Sequence, residues 1–465
     1  MIALTVWYLY HRLFIFTWIL LFSRKDRPMP DVKSKPKINV ITMGCAKNLV
    51  DSEVLLGQLR RGSARLVGEV DEADVAVINT CGFIEAAKQE SIEAILEAIE
   101  RKKRGELRKI VVMGCLAERY REELRKELPE VDVLFGSNEL QEVTESLGVD
   151  YKRELLGERL LTTPSHFAYL KISEGCDHPC SFCAIPLMRG KHRTKPLEQL
   201  LKEAEHLASQ GVKELILIAQ DSTYYGMDLY GKRALSQLLM ELGRVGAIEW
   251  IRLMYAYPAK FPLDVLEVFR QNPKLCRYID LPLQHASDNV LRSMRRGITN
   301  RAMRDLIFRM KNAIPDLAIR TTFIVGYPDE TEHDFETLCN FVREMEFHRV
   351  GVFTYSHEEG TTAFPLGDTI PQEVKEQRRD RLMEIQQEIS ERRNRSLIGS
   401  KHRVVIDRLE RGFAVGRTQW DAPEIDQEVY VSGKNLKPGK FYDVTMTDAV
   451  EYDLYGNVVS GAEDL

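Results

Sequence analysis

The sequence predicts an α/β protein with three folded parts: an N-terminal doubly wound parallel-sheet domain, a central partial (β/α)6 barrel and a C-terminal small all-β barrel. Three observations predict this fold. Apolar runs and helical patterns alternate three times within residues 37–150 and six times within residues 162–370, and short alternating β patterns with turn residues fill residues 399–465. The length of 465 residues is typical of two to four domains.

Residues 1–36 form an apolar N-terminal extension before the first predicted strand, and basic residues follow its apolar run at positions 24, 25 and 27. The pattern is that of a membrane anchor whose charged side faces the cytoplasm. The alternative is a start-site artefact, because Met29 offers a later start just before the first strand. We therefore expect membrane contact only if residues 1–28 are translated.

The N-terminal domain, residues 37–150, repeats a strand, a cysteine and a helix three times. In a doubly wound sheet the carboxyl ends of the strands lie along one edge, so three distant thiols can meet there. A glycine beside each cysteine would let the backbone approach a bulky inorganic group. The alternative is three buried structural thiols. The apolar runs are 38–41, 75–78 and 110–113, and the cysteines are Cys45, Cys81 and Cys115.

The central barrel, residues 162–370, is predicted from six apolar strands separated by amphipathic helices. The carboxyl ends of the strands carry the chemistry in barrels of this type. The predicted strands are 167–172, 214–219, 250–255, 278–283, 319–325 and 349–355, and the predicted helices include 197–209, 235–245, 263–270, 300–313 and 332–345.

Cys176, Cys180 and Cys183 follow the first barrel strand with the spacing C-x3-C-x2-C. Three thiolates so close in sequence can hold three corners of a cubic [4Fe–4S] cluster and leave the fourth iron open for the amino and carboxylate groups of a small molecule. A structural zinc site is the alternative, but it usually closes with a fourth Cys or His, and His178 lies inside the loop. Cys276 and Cys339 are interpreted as structural.

Polar residues and a glycine recur at the ends of the other barrel strands, where a small-molecule cofactor would bind. Gln220 and Asp221 could instead cap the following turn, and Gly326 could serve only a turn. The predicted cofactor-binding residues are Gln220, Asp221, Gln284, Arg320 and Gly326.

Three further polar residues lie near the same strand ends. His285 is interpreted as a partly buried histidine rather than a base. Arg189 and Lys191 could engage a carboxylate, or they could belong to a solvated basic loop.

A charged stretch at residues 371–398 predicts an exposed linker helix before the C-terminal barrel. Residues 401–465 contain 8 basic and 12 acidic residues, and the whole chain has a net charge of −5. An acidic surface repels RNA and attracts a basic protein. The candidates for a docking surface are Asp421, Glu424, Asp426 and Glu428.

The two cysteine patterns together resemble the methylthiotransferase family of radical S-adenosylmethionine (SAM) enzymes, in which the C-terminal barrel is called a TRAM domain. The amino-acid sequences of residues 44–53, 183–186 and 420–426 are similar to those of the branch that modifies an aspartate of small-subunit ribosomal protein twelve. The branch that modifies tRNA typically has Gln-Met-Asn where this chain has Ala46, Lys47 and Asn48.

The resemblance implies a transferase that inserts a methylthio group at the β carbon of that aspartate. It implies two [4Fe–4S] clusters held by the two cysteine triplets, SAM as cofactor, and no catalytic side chain, because the radical chemistry belongs to the cofactor. The expected partners are the ribosomal protein and an unidentified electron donor, with nucleic acid not expected as the substrate. A cytoplasmic monomer is expected. A tRNA adenosine methylthiotransferase and a non-catalytic iron–sulfur scaffold are the alternatives.

Overall fold

The computed structural model describes residues 35–62, 64–152 and 157–459. Two compact units form. The first contains the described residues up to 82 and from 86 to 152, and the second contains residues 83–85 and 157–459. Of the predicted extension at residues 1–36, residues 1–34 lie outside the described part of the chain. No helix within the described residues is long and apolar enough to cross a membrane.

The first unit is a five-stranded parallel sheet with the strand order β2-β1-β3-β4-β5. The central strand β3 is buried along its whole length, as is typical of parallel strands covered on both faces. The elements are β1 (Lys37–Thr42), α1 (Ala46–Arg61), β2 (Arg65–Leu66), β3 (Val75–Thr80), α2 (Glu85–Lys103), β4 (Lys109–Gly114), α3 (Cys115–Arg119), α4 (Arg121–Glu127), β5 (Val133–Leu134) and α5 (Leu140–Ser146).

Each face of this sheet has its own apolar core. On one face, Leu55 and Leu59 of α1 pack with Val77 of β3. On the other face, Ile95 of α2 packs with Ile78. The alternation of side chains along β3 supplies both cores, so the doubly wound prediction is confirmed.

The central part of the second unit is an open parallel barrel with the strand order β13-β12-β11-β10-β9-β6. This architecture is the predicted (β/α)6 barrel. The elements are β6 (Phe167–Lys171), β7 (Ser173–Glu174), α6 (Ile185–Arg189), β8 (Arg193–Thr194), α7 (Leu197–Ser209), β9 (Glu214–Ile218), α8 (Met227–Tyr230), α9 (Leu235–Gly243), β10 (Trp250–Leu253), α10 (Asp264–Gln271), β11 (Leu275–Asp280), α11 (Asp288–Ser293), α12 (Asn300–Ala313), β12 (Ala318–Val325), α13 (Glu332–Met345) and β13 (Arg349–Thr354).

The long helix α14 (Gln372–Ser396) is not the exposed connection that the sequence predicted. Leu382 joins the apolar core of the barrel. Lys375 and Arg378 are buried as well, because their heads find partners: Lys375 Nζ donates to the carbonyl of Tyr355 at 3.3 Å, and Arg378 Nη1 donates to Glu330 at 2.8 Å. A buried charge is tolerated when it is paired and hydrogen-bonded, so a prediction of exposure from charge alone was wrong.

The C-terminal part is a closed barrel of five strands in the order β14-β15-β16-β18-β17, as predicted. Closure leaves no free sheet edge. Its core includes Val404, Val429 and Val444. The strands are β14 (Lys401–Glu410), β15 (Phe413–Thr418), β16 (Val429–Ser432), β17 (Phe441–Ala449) and β18 (Leu454–Val458).

Candidate functional site

The barrel cysteine loop begins where β7 ends, above the carboxyl end of β6. The short ribbon of β7 and β8 closes it, and the Cys176 amide donates to the carbonyl of Gly190 at 3.1 Å. Gly175 has φ +74°, and a Cβ there would lie 2.1 Å from the Lys191 carbonyl oxygen. Only glycine therefore permits this closure.

Tyr257 and Arg296 support the loop from the barrel side. The ring of His178 stacks on Tyr257 with centroids 3.7 Å apart, and the Arg296 guanidinium lies 4.3 Å from the Tyr257 centroid. Arg296 Nη1 is 3.2 Å from Cys180 Sγ, and Tyr257 Oη is 3.6 Å from the same sulfur. Neither residue was predicted. The available signal for Tyr257 was its position after the end of β10.

Asp221 caps the following turn, which was one of its two predicted roles, and it also contacts the cysteine loop, while its cofactor-binding role stays a prediction. One carboxylate oxygen lies 2.6 Å from His178 Nε2, and the other accepts the amide of Thr223 at 2.7 Å. Asp221 is buried. It therefore fixes the cysteine loop through His178, in the manner of a carboxylate that orients a ligand-bearing segment.

Glu174, just before the loop, accepts hydrogen bonds from three neighbouring side chains. Gln220 Nε2 donates to it at 2.8 Å, Lys171 Nζ at 2.7 Å and Arg189 Nη1 at 3.2 Å. Burial alone would raise the pKa of Glu174, but Lys171 and Arg189 lower it to about 2. Arg189 is thus paired with a carboxylate of its own chain, which contradicts the solvated-loop alternative, whereas Lys191 is exposed.

Four buried polar atoms lie near the ends of β7, β9, β11 and β13. Within the described residues they have no hydrogen-bond partner, and such atoms usually mark a bound ligand or water. Gln284 also has φ +76°, a conformation that non-glycine residues rarely adopt. These four atoms are candidates for contacts with a small polar molecule at the top of the barrel. The atoms are Ser173 Oγ, Gln220 Oε1, Gln284 Oε1 and Tyr355 Oη.

Arg320 and Gly326 contact other parts of the chain. Arg320 Nη1 lies 3.0 Å from an oxygen of Asp280, and its Nε lies 3.4 Å from Asp426. A Cβ on Gly326 would lie 2.3 Å from Lys375 Cγ, so the close approach that this glycine permits is to helix α14. The cofactor role predicted for these two residues stays a prediction.

His285 is fully buried, with Nδ1 accepting the Ser287 amide at 3.0 Å and Nε2 lying 3.5 Å from Glu330. Cys276 in β11 and Cys339 in α13 are buried too. Their structural interpretation stays a prediction.

In the first unit, the three cysteines lie after neighbouring strands of the sheet. Cys45 precedes α1, Cys81 follows β3, and Cys115 opens α3. A Cβ on Gly44 would lie 2.6 Å from Cys81 Cβ, and one on Gly82 would lie 3.0 Å from the Cys115 carbonyl carbon. The three loops therefore touch one another.

Asn48 ties these three loops together. Its Nδ2 donates to the carbonyls of Met43 at 2.9 Å and Thr80 at 3.0 Å, and its Oδ1 lies 3.8 Å from Cys115 Sγ. The side chain is fully buried. Sequence reasoning gave Asn48 no role, although its place three residues after Cys45 was the available signal.

Both cysteine triplets fit iron–sulfur clusters. All eight cysteines lie in the described part of the chain, and no two of them are joined by a disulfide. Among the described residues, no three His, Cys, Asp or Glu side chains already converge on a point that could hold one metal ion. In a [4Fe–4S] cluster, each thiolate binds a different iron, so one shared point is not required. Burial raises the pKa of Cys176 and Cys183 to about 12, so iron binding would displace both protons.

The predicted docking surface is wrong for two of its four carboxylates. Asp421 is fully buried, and its oxygen lies 2.6 Å from Arg349 Nη2. Asp426 is buried between Arg320 and Tyr278, whose hydroxyl donates to it at 2.8 Å. These acids neutralise basic side chains of the barrel strands.

Glu214 of β9 lies at the centre of the same buried network. It accepts from Arg252 Nε at 2.7 Å and from Arg417 Nη2 at 2.9 Å. We call this network the barrel floor, because the residues that the central barrel contributes to it lie within the first four positions of strands β9, β10, β12 and β13. Its members are Glu214, Arg252, Arg320, Arg349, Arg417, Asp421 and Asp426.

Three segments of the chain match known families. Residues 37–136 match an uncharacterized protein family, UPF0004, residues 170–342 match the radical SAM superfamily, and residues 398–459 match the TRAM domain.

Curated relatives match along most of the chain. One from Christiangramia forsetii is 54% identical over 91% of this chain and 94% of its own length, and one from Flavobacterium johnsoniae is 55% identical over 91% and 98%. Both are named ribosomal protein uS12 methylthiotransferase RimO. A solved structure of the radical SAM methyltransferase TsrM from Kitasatospora setae has a TM-score of 0.53 at 13% identity and covers 68% of this chain and 72% of its own, which supports the fold alone.

Proposed function

The chain belongs to the RimO family of methylthiotransferases, and from this membership we propose that it inserts a methylthio group at the β carbon of an aspartate in ribosomal protein uS12. The cysteine loop at the carboxyl end of β6 is the observation that carries this proposal, because it lies where a barrel presents its chemistry.

Cys176, Cys180 and Cys183 would hold the barrel cluster, and Cys45, Cys81 and Cys115 the second one. The barrel cluster with SAM supplies a radical that can remove a hydrogen from an inert carbon. Asp221, through His178, keeps the barrel loop in place. Asn48 does the same for the loops of the second triplet.

Gln220 and Gln284 would contact SAM through their partnerless buried oxygens, which could accept hydrogen bonds from its ammonium group. Asp221 would act mainly by positioning the cysteine loop. Arg320 and Gly326 would shape the site from a distance, because one is paired with Asp280 and the other faces Lys375.

The acidic balance of residues 401–465 supports a basic protein substrate over RNA. Asp421 and Asp426 are excluded from the contact, which leaves Glu424 and the half-buried Glu428 as candidates from the predicted set. A separate electron donor, a monomeric state and the cytoplasm complete the proposal, since thiols that bind iron must stay reduced and therefore need a reducing compartment. The three folded parts at 37–150, 162–370 and 399–465 would act in one chain.

The test is a comparison of substrates. The anaerobically reconstituted enzyme, SAM and a reductant are incubated with ribosomal protein uS12 or with tRNA, and both are analysed by mass spectrometry. We expect a methylthio group on an aspartate of the protein. Modification of tRNA adenosine alone would overturn the proposal.

A further inference from the structure

A groove of about 920 Å³ opens on the barrel surface beside the cysteine loop. It lies between the segment that follows β10 and the helices α11 and α12, and Pro179 forms part of its wall. Phe261, Leu291 and Leu306 give it an apolar lining. The groove therefore reaches the residue directly before Cys180, one of the proposed iron ligands.

The rim of the groove is basic although the chain as a whole has a net charge of −5. Lys260, Arg292, Arg295 and Arg309 are all exposed there. The groove also contains two acids, of which Asp288 accepts the backbone amide of Asn300 at 2.6 Å. A positive patch on a negative protein selects an acidic partner and speeds its association.

A short path of contacts links this rim to the cluster loop. Arg296 follows the exposed Arg295, is itself buried, and places Nη1 3.2 Å from Cys180 Sγ. Tyr257 donates its hydroxyl to the Arg296 carbonyl at 2.8 Å and lies 3.6 Å from the same sulfur. A partner in the groove would thus lie within a few side chains of the barrel cluster.

We propose, on the basis of the proposed function, that the groove docks an acidic ferredoxin that reduces the barrel cluster. One electron leaves the reduced ferredoxin and enters the cluster held by Cys176, Cys180 and Cys183, and no bond forms or breaks in this step. Iron–sulfur carriers of this kind reach the low potentials that such a transfer needs. A basic ribosomal protein would be repelled by the rim.

The test compares charge reversals inside and outside the groove. The groove variant is Arg292→Glu with Arg309→Glu. The control is Arg343→Glu with Arg411→Glu, two exposed arginines that do not line the groove; Arg343 on α13 contacts Asn340 at 3.3 Å, just as Arg292 contacts Asn289 at 3.4 Å. The probe is a plant-type [2Fe–2S] ferredoxin, and its dissociation constant and the rate of cluster reduction are measured by calorimetry and stopped-flow absorbance.

We expect the groove variant to weaken ferredoxin binding about tenfold at low salt and much less at high salt, and the control to change it less than about twofold. Reduction by dithionite should be unchanged in both, since this small reductant needs no docking surface. An Arg292→Gln, Arg309→Gln variant should give an intermediate loss.

Equal losses in groove and control variants would overturn the proposal, as would unchanged ferredoxin affinity. Loss of tRNA affinity with ferredoxin binding retained would overturn it in favour of RNA. Failure of the parent enzyme to cleave SAM with dithionite would instead contradict the proposed function, because that reaction does not use the groove.

Discussion

The imidazole of His178 lies flat on the ring of Tyr257, with centroids 3.7 Å apart and planes 7° from parallel. Because Tyr257 also contacts Cys180 Sγ, we expect Tyr257→Leu to loosen the cysteine loop and lower the iron that the barrel retains. Tyr257→Phe keeps the stack and loses only the hydroxyl, so it should retain more. Iron analysis after gel filtration checks this order, and equal retention by both variants would contradict it.

Replacing Cys176, Cys180 and Cys183 together with Ala should remove one of the two clusters. The reconstituted parent should hold about eight iron atoms per chain and the variant about four. SAM cleavage should be abolished, because its cluster is the one lost. SAM cleavage by the triple variant would contradict the assignment of these three cysteines to the cluster that cleaves SAM.

The converse variant, with Cys45, Cys81 and Cys115 replaced by Ala, should still cleave SAM under reducing conditions. Methylthio product should disappear, since the second cluster is proposed to carry the sulfur. Both readouts come from one chromatographic assay of deoxyadenosine and modified protein. Continued product formation would show that this triplet is structural.

Breaking the buried pair between Arg349 and Asp421 should be costly. Asp421→Ala leaves the guanidinium buried without its carboxylate, and we expect a loss of about 3–5 kcal/mol of stability. Glu428→Gln is the control, because its ion pair with Arg408 is partly open to solvent and should contribute at most about 1 kcal/mol. Urea unfolding can be followed by fluorescence, since both tryptophans of the described residues, Trp250 and Trp420, are in the second unit.

A double variant, Arg349→Met with Asp421→Leu, should recover part of this loss, because neither charge then remains unpaired. A double variant that is less stable than Asp421→Ala would contradict this account of the pair.

Asp407 should make the second unit sensitive to acid. Burial opposes ionisation, but Arg417 and His166 lower the pKa of Asp407 to about 2. Because the folded pKa lies below the unfolded value, the stabilisation is complete above about pH 4 and is lost as the pH falls towards 2, by about 2 kcal/mol in total. Denaturant midpoints of iron-free protein across this range test it. Asp407→Asn should make the denaturant midpoint depend less steeply on pH. An unchanged dependence would show that Asp407 is not the group responsible.

Local sequence signals were sufficient to predict the bounds of several helices. Helices α12 and α13 begin and end where the sequence predicts, because each combines an apolar stripe with a threonine cap: the Thr299 side chain accepts from Ala302, and Thr331 forms a capping box with Asp334. The cysteine triplets were found from spacing and strand order. Strand β11 was predicted three residues late, because Leu281 and Leu283 remain buried after it ends.

Pairings between distant residues could not be predicted in the same way. Asp421 and Arg349 are 72 residues apart, and each alone has the character of a surface charge. Lys375 and Arg378 are similar, since only the folded chain supplies the partners that allow their burial. Tyr257 and Arg296 belong to the site for the same reason, because they approach Cys180 only after the barrel has formed.

The barrel floor has a consequence for protein engineering. The C-terminal barrel could be taken for a domain that can be exchanged between proteins. Its Arg417, Asp421 and Asp426, however, form ion pairs with residues in the strands of the central barrel. A chimera that imports a foreign domain would leave Glu214, Arg320 and Arg349 short of counter-charges. Swaps intended to change substrate choice should therefore keep residues 417–426 native, together with Asp407, which pairs with Arg417 and with His166 of the second unit.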